Sequence, residues 1–279
     1  MHKRRLLTGL AVIPVFLVCL FHPLGREFTL LATVLFATLS AVELWRILVD
    51  DDGKVVFCGL LVVIWGLLLA AYFRSIDGTI TVLIVGTWFV SSLLIAAGWR
   101  DGRRILSSAY FLVFYLAAPL ATLVAIRTSD VGVQLTGFVM LVSCACDTGG
   151  YYIGSFFGRR RLAPALSPNK TVEGGIGGLL FCLLGVAVWG FLQGYWVDPG
   201  HLFWMSLEPM AWMKVLALAL IVGVLAQVGD LLESMLKRDA GVKDSGNNST
   251  GHGGYLDMLD SLLWASPAMF LFAVLTGHL

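Results

Sequence analysis

Charge is what this chain has least of. Of its 279 residues only 13% are Asp, Glu, Lys or Arg, about half the share of an ordinary soluble domain. Hydrophobic residues make up 58%, so one large soluble core is excluded and a polytopic membrane protein is indicated. A basic excess is also missing. The net charge is +1, and no nucleic-acid partner is expected. Cysteine is scarce: Cys19, Cys58, Cys144, Cys146 and Cys182 all sit in apolar stretches and read as small buried hydrophobes. A disulfide framework is excluded, and Cys144-Ala-Cys146 lacks the usual spacing of zinc ligands. A cleavage site is absent too. His2-Lys3-Arg4-Arg5 and the apolar run behind it resemble a signal peptide, but the run stops at His22-Pro23-Leu24-Gly25 with no small-x-small motif. A retained first span is expected.

What is there is a series of apolar runs. Crossing the hydrocarbon takes about 20 mostly apolar residues, and nine candidates follow: 6–24, 28–48, 55–73, 79–98, 105–126, 131–153, 174–195, 212–234 and 257–277. The expected fold is all-α, with about five helices in 1–126 and a catalytic region of about four helices in 127–279. The longest polar connections, roughly 155–173 and 237–256, must carry any chemistry. With the N-terminus in the cytoplasm and nine alternating helices, 15 of the 19 Lys and Arg fall on the cytoplasmic side, as the positive-inside rule requires. Both long connections then face the cytoplasm. Gly150, Gly154 and Gly158, like Gly174 and Gly178, recur every four residues, a spacing that lets membrane helices approach closely.

The polar residues concentrate near the C-terminus. On a helix, Gln227, Asp230, Glu233, Ser234 and Lys237 share one face. Pairing of Glu233 with Lys237 would explain two of them and leave Asp230 and Gln227 without a reason. Charge at membrane depth costs roughly 2.5–3.5 kcal/mol per group. The segment 241–254 follows, with Lys243, Asp244, His252, Gly253 and Gly254. Its glycines let backbone N–H groups converge on an anion. Asp257 and Asp260 open the last helix. Either alone could serve the helix dipole; facing Asp230, they would need a cation between them. An all-oxygen set selects a hard ion, Mg²⁺. Several carboxylates, several cations and a flexible loop suit metal-assisted phosphoryl or nucleotidyl transfer. An ion path is the rival from another class, but the polar groups gather at one membrane edge and no carboxylates lead toward the far side.

The other connection runs from Asp147-Thr148-Gly149-Gly150-Tyr151 through Arg159-Arg160-Arg161 to Ser167-Pro168-Asn169-Lys170-Thr171. The glycines of a phosphate loop are missing before Lys170, so that motif is rejected. The arginines read as topology signal and lipid-phosphate attraction. Glu43 and Arg46 read as an i,i+3 ion pair near the headgroups, outside the site.

These stretches resemble the phosphatidate cytidylyltransferase (CDP-diacylglycerol synthase) family. The family pattern Ser-x-x-Lys-Arg, Lys-Asp, Pro-Gly-His-Gly-Gly-x-x-Asp-Arg-x-Asp is matched by Ser234, Lys237-Arg238, Lys243-Asp244, Gly251-His252-Gly253-Gly254, Asp257 and Asp260. Asp147-Thr-Gly-Gly-Tyr and Leu166-Ser-Pro-Asn-Lys-Thr-Val-Glu-Gly174 match as well. The resemblance covers about the C-terminal half. Thr250 stands where the family has proline and Met258 where it has arginine; this bears on rate and on which lipid phosphate is accepted, a weakened relative included. The resemblance implies an all-helical membrane enzyme, often a homodimer, that takes CTP and phosphatidic acid and uses Mg²⁺ in a bacterial inner membrane. It implies Asp230 and Asp257 as metal ligands, supported by Asp260 and Asp244. Lys237, Arg238, Lys243 and His252 would hold phosphate groups. Asn169 and Lys170 would complete the substrate pocket with Ser234, Gly253 and Gly254, and Asp147 would orient the ligands.

Overall fold

The computed structural model describes residues 20, 22, 24–49, 53–98, 102–196, 209–246 and 254–279. Eight helices occur among them: α1 (Gly25–Leu48), α2 (Lys54–Tyr72), α3 (Ile76–Ala96), α4 (Gly102–Thr128), α5 (Gly132–Phe157), α6 (Val172–Trp196), α7 (Pro209–Asp239) and α8 (Asp260–Leu275). One departure from the all-α expectation is a two-stranded antiparallel hairpin, β1 (Arg161–Ala163) with β2 (Ser167–Thr171). Its strands are too short and polar, with Pro168 inside β2, to give a period-two pattern.

Six of these helices are long and apolar enough to cross a membrane: α1 to α4, α6 and α7. The nine expected spans are therefore not all established. Of the first, 6–24, only residues 20, 22 and 24 are among the described residues. Helix α5 has the length but carries Gln134, Asp147 and a run of small polar residues. Helix α8 has 16 residues, about 24 Å at 1.5 Å per residue, short of the ~30 Å hydrocarbon thickness. A multi-pass membrane protein stands on the six. Their outward faces agree: on α3, Ile95 is 80% and Trp88 69% exposed, a surface that water would not tolerate over such lengths.

The chain falls into two compact units, Met1–Thr128 with Leu236–Leu259, and Ser129–Met235 with Asp260–Leu279. In the first, α2 packs against α1, α3 and α4. Ser75 caps α3 by accepting from the Gly78 N–H at 2.9 Å, satisfying one of the orphan donors at a helix start. Helix α4 contains a five-residue π turn, Val113–Ala117. It lies just ahead of Pro119, whose ring has no N–H for the carbonyl four residues back.

In the second unit α5 and α6 pack along most of their lengths. The glycine spacing seen in the sequence does this: a Cβ on Gly174 would lie 2.8 Å from the Gly150 carbonyl oxygen and 3.0 Å from Gly154 Cα. The backbones meet where side chains are missing. Helix α6 starts at a defined point. Thr171 Oγ1 accepts from the Gly174 N–H at 3.1 Å, and the Glu173 carboxylate accepts from the N–H groups of Arg159 (2.9 Å) and Arg160 (3.1 Å). The hairpin is thereby tied to the start of α6.

Candidate active site

The second unit holds a cluster of carboxylates. Asp230 and Glu233 are three residues apart on α7 and share a face, as the sequence predicts. Asp260 opens α8. It reaches them because Gly229 has no side chain: a Cβ there would lie 2.4 Å from the Asp260 carbonyl oxygen. One oxygen from each of Asp230, Glu233 and Asp260 lies within 4.8 Å of the others. Glu233 is 1% exposed. Asp147 of α5 joins from another side, its two carboxylate oxygens each 3.2 Å from the Ser261 hydroxyl, which donates. Lys170 of β2 faces this group, with Nζ 2.6 Å from Asp230 Oδ2.

Two carboxylates at this separation repel by about 3–4 kcal/mol at an effective dielectric near 20. Lys170 answers the charge of Asp230. All donors are oxygens and three converge, which is the donor set of a hard divalent cation such as Mg²⁺. Next to the cluster lies a cavity of about 670 Å³, lined by Asp147, Asp230, Asn169 and Lys170 and, at its basic side, Arg159 and Arg161. It is large enough for a phosphate ester, with carboxylates and cations on its walls. Gln227, one turn before Asp230, is used otherwise: its amide donates to the Gly175 carbonyl at 3.0 Å and joins α7 to α6.

The first unit holds Lys237, Arg238, Lys243, Asp244, Gly254 and Asp257. Lys237, in the last turn of α7, forms an ion pair with Asp257. Asp257 also accepts from the Ser245 N–H (3.2 Å), the Ser245 hydroxyl (3.0 Å) and the Gly254 N–H. Arg238 donates to the Val242 carbonyl at 3.2 Å, while Lys243 and Asp244 are exposed on the turn that follows. Ser234 is half-buried on α7. His252 and Gly253 lie outside the described residues, as does Thr250.

Of the four predicted metal ligands, Asp230 and Asp260 come together, with Glu233 as a third member that the sequence reading left out of the metal set. Asp257 and Asp244 belong to the other unit, where Asp257 is engaged by Lys237. Glu43 is a correction. Its expected ion pair with Arg46 is replaced by a buried carboxylate, 8% exposed, that accepts from the Tyr255 and Leu256 N–H groups at 3.0 and 2.9 Å. Glu233 was findable from its i,i+3 spacing to Asp230; no local signal pointed Glu43 at residues more than 200 positions away.

Comparison with known proteins agrees with this chemistry. The model of the cytidylyltransferase family matches residues 3–276. The phosphatidate cytidylyltransferase of Bacillus subtilis is 30% identical over 282 residues, covering 98% of both chains. That of Thermotoga maritima is 29% identical over 276 residues, 99% of this chain and 97% of its own. The phosphatidate cytidylyltransferase of Synechocystis is 41% identical over 148 residues, 52% of this chain and 44% of its own.

Proposed function

The chain belongs to the cytidylyltransferase family, and on that premise we propose that Asp230, Glu233 and Asp260 hold Mg²⁺ for transfer of a cytidylyl group from CTP to phosphatidic acid. The products are CDP-diacylglycerol and pyrophosphate, and the enzyme serves phospholipid biosynthesis. The observation that carries the cation site is the approach of three carboxylates to within 4.8 Å of one another, beside a cavity that Lys170 and two arginines line.

The nucleophile is an oxygen of the lipid phosphate. With a second pKa of about 6 for a phosphate monoester, it is largely ionised near neutral pH and needs little help from a base. It attacks the α-phosphorus of CTP; the new O–P bond forms as the bond to the β-phosphate oxygen breaks, and pyrophosphate leaves with the electron pair. The difficulty is bringing one anion onto another. A bound Mg²⁺ would supply charge neutralisation and alignment. The chain's own cations do the rest. Lys170, Arg159 and Arg161 draw phosphate oxygens into the cavity, with Asn169 as a neutral donor. Lys237, held in place by Asp257, contacts the triphosphate, and Arg238, Lys243, Asp244 and His252 belong to the same polar segment. Asp147 orients the cluster through Ser261.

The Lys and Arg asymmetry supports a site open to the cytoplasm in a bacterial inner membrane, where CTP is present. A homodimer is part of the same reading. The test is incubation of purified protein with labelled CTP, Mg²⁺ and a panel of lipid phosphates. Mg²⁺-dependent CDP-lipid and pyrophosphate, with phosphatidic acid the best acceptor, is the expected result. Turnover unaffected by chelation sinks the cation site, and preference for a polyprenyl phosphate reassigns the acceptor.

A further inference from the structure

Glu43 belongs to α1, two hundred residues before the polar segment that it touches. A carboxylate buried near membrane depth is expensive unless donors surround it. Here they do. Glu43 Oε1 accepts from the Tyr255 N–H at 3.0 Å, and Oε2 from the Leu256 N–H at 2.9 Å. The Ser245 hydroxyl stands 3.1 Å from Glu43 Oε2 and 3.0 Å from Asp257 Oδ2. It has one proton and two carboxylates to serve, so it links them directly. The backbone is shaped around the same side chain. A Cβ on Gly246 would lie 2.3 Å from Glu43 Oε1, and one on Gly254 would lie 1.8 Å from Ser245 Oγ and 2.5 Å from Glu43 Oε2. Glycine at both positions lets the two chain segments close on Glu43.

These contacts converge on Asp257. Its partners Ser245 and Gly254 are residues that Glu43 holds or packs against, and it also pairs with Lys237. We propose that Glu43 is a positioning residue of the transferase site: by fixing Ser245, Gly254 and the backbone of Tyr255 and Leu256, it sets where Asp257 holds Lys237 for the triphosphate of CTP. The inference rests on the assignment of Lys237 and Asp257 to the nucleotide. An ordinary capping role would also bury Glu43, but would leave substrate constants alone.

The experiment measures kcat and KM separately for CTP and for phosphatidic acid, in full-length enzyme in detergent. The variants are Glu43→Gln, Ser245→Ala, Lys237→Ala and Asp257→Asn. Glutamine keeps the volume of Glu43 but places an NH₂ against a backbone N–H. The expected result for Glu43→Gln is at least a tenfold rise in KM for CTP with KM for the lipid unchanged. A fall in Vmax that tracks the folded fraction, with both constants unchanged, overturns the proposal. If Glu43→Gln does not fold, Ser245→Ala decides: it keeps both backbone bonds and removes only the link to Asp257. A several-fold rise in KM for CTP supports the proposal, and an unchanged value overturns it. If Lys237→Ala and Asp257→Asn both turn over normally, the nucleotide assignment itself falls and the proposal falls with it. If those two are impaired while Glu43→Gln and Ser245→Ala keep the wild-type KM for CTP, Glu43 alone is dismissed.

Discussion

Lys170 and Asp230 meet at 2.6 Å across the wall of the cavity, one on β2 and the other on α7. Their side chains are 25% and 33% exposed while Lys170 Nζ itself is buried, so desolvation offsets much of the attraction and the pair adds little net stability. The pair therefore has little structural reason to exist. Its lysine touches the acidic cluster, and its place on the cavity wall suits an incoming phosphate.

Replacing Lys170 with methionine should accordingly separate stability from activity. The expected melting temperature in detergent stays within a few degrees of the parent, since no more than about 1 kcal/mol is lost. Turnover should drop at least tenfold. A melting temperature lowered by ten degrees or more with turnover intact would make the ion pair structural.

Asp260→Asn and Glu233→Gln test the cluster by opposite signs. Each removes one of three carboxylates that lie within 4.8 Å of one another, and each like-charged pair opposes folding by up to about 3–4 kcal/mol before screening. In chelator, Asp260→Asn should melt at or above the parent temperature. With Mg²⁺ added, the parent should gain stability by mass action and the variants should gain less. Equal Mg²⁺-induced shifts in all three proteins would exclude these side chains as ligands. The measurement is a pair of thermal melts and needs no turnover.

Much of this was readable in advance, and for local reasons. The helical face of Asp230, Glu233 and Ser234 follows from residue spacing alone, and so does the close packing of α5 on α6 through glycines. The division between Asp257 and Asp260 was not readable. Their i,i+3 spacing suggests one helical face, but residues 256–258 form a separate 3₁₀ turn and α8 begins at Asp260. The two carboxylates thus have different sets of partners. The hairpin was hidden because β1 has three residues and β2 five, too few for alternation to register. Glu43 was hidden for a different reason: two of its partners are backbone N–H groups, which have no residue identity to recognise, and Ser245 lies 202 positions away.

Thr171 links the hairpin to α6, and its loss should be measurable without touching the cluster. Thr171→Val keeps the shape and removes the oxygen that accepts from the Gly174 N–H. A lost N-cap costs about 1 kcal/mol, with a range of roughly 0.5–2. A melting temperature a few degrees lower is expected, with KM for CTP unchanged or higher as β2 loosens around Lys170. A rise in melting temperature would mean that the start of α6 is fixed by Glu173 alone.

The α5–α6 contact gives a prediction of a different kind, because it concerns space. Gly137 faces Trp189, which is 5% exposed, and a Cβ at Gly137 would lie 2.1 Å from the indole ring. A large ring already buried between two helices cannot withdraw without opening the packing around it. Gly137→Ala should therefore cost about 1–3 kcal/mol and lower the melting temperature, while kcat at low temperature holds. Gly98→Ala is the control. Nothing lies within 4 Å of a Cβ there, but the backbone has φ +66°, which favours glycine. Its cost should be about 1–2 kcal/mol, from backbone strain alone. If Gly137→Ala destabilised no more than Gly98→Ala, the close approach of Trp189 to α5 would have to be given up, and with it the tight helix pair on which Asp147 is carried.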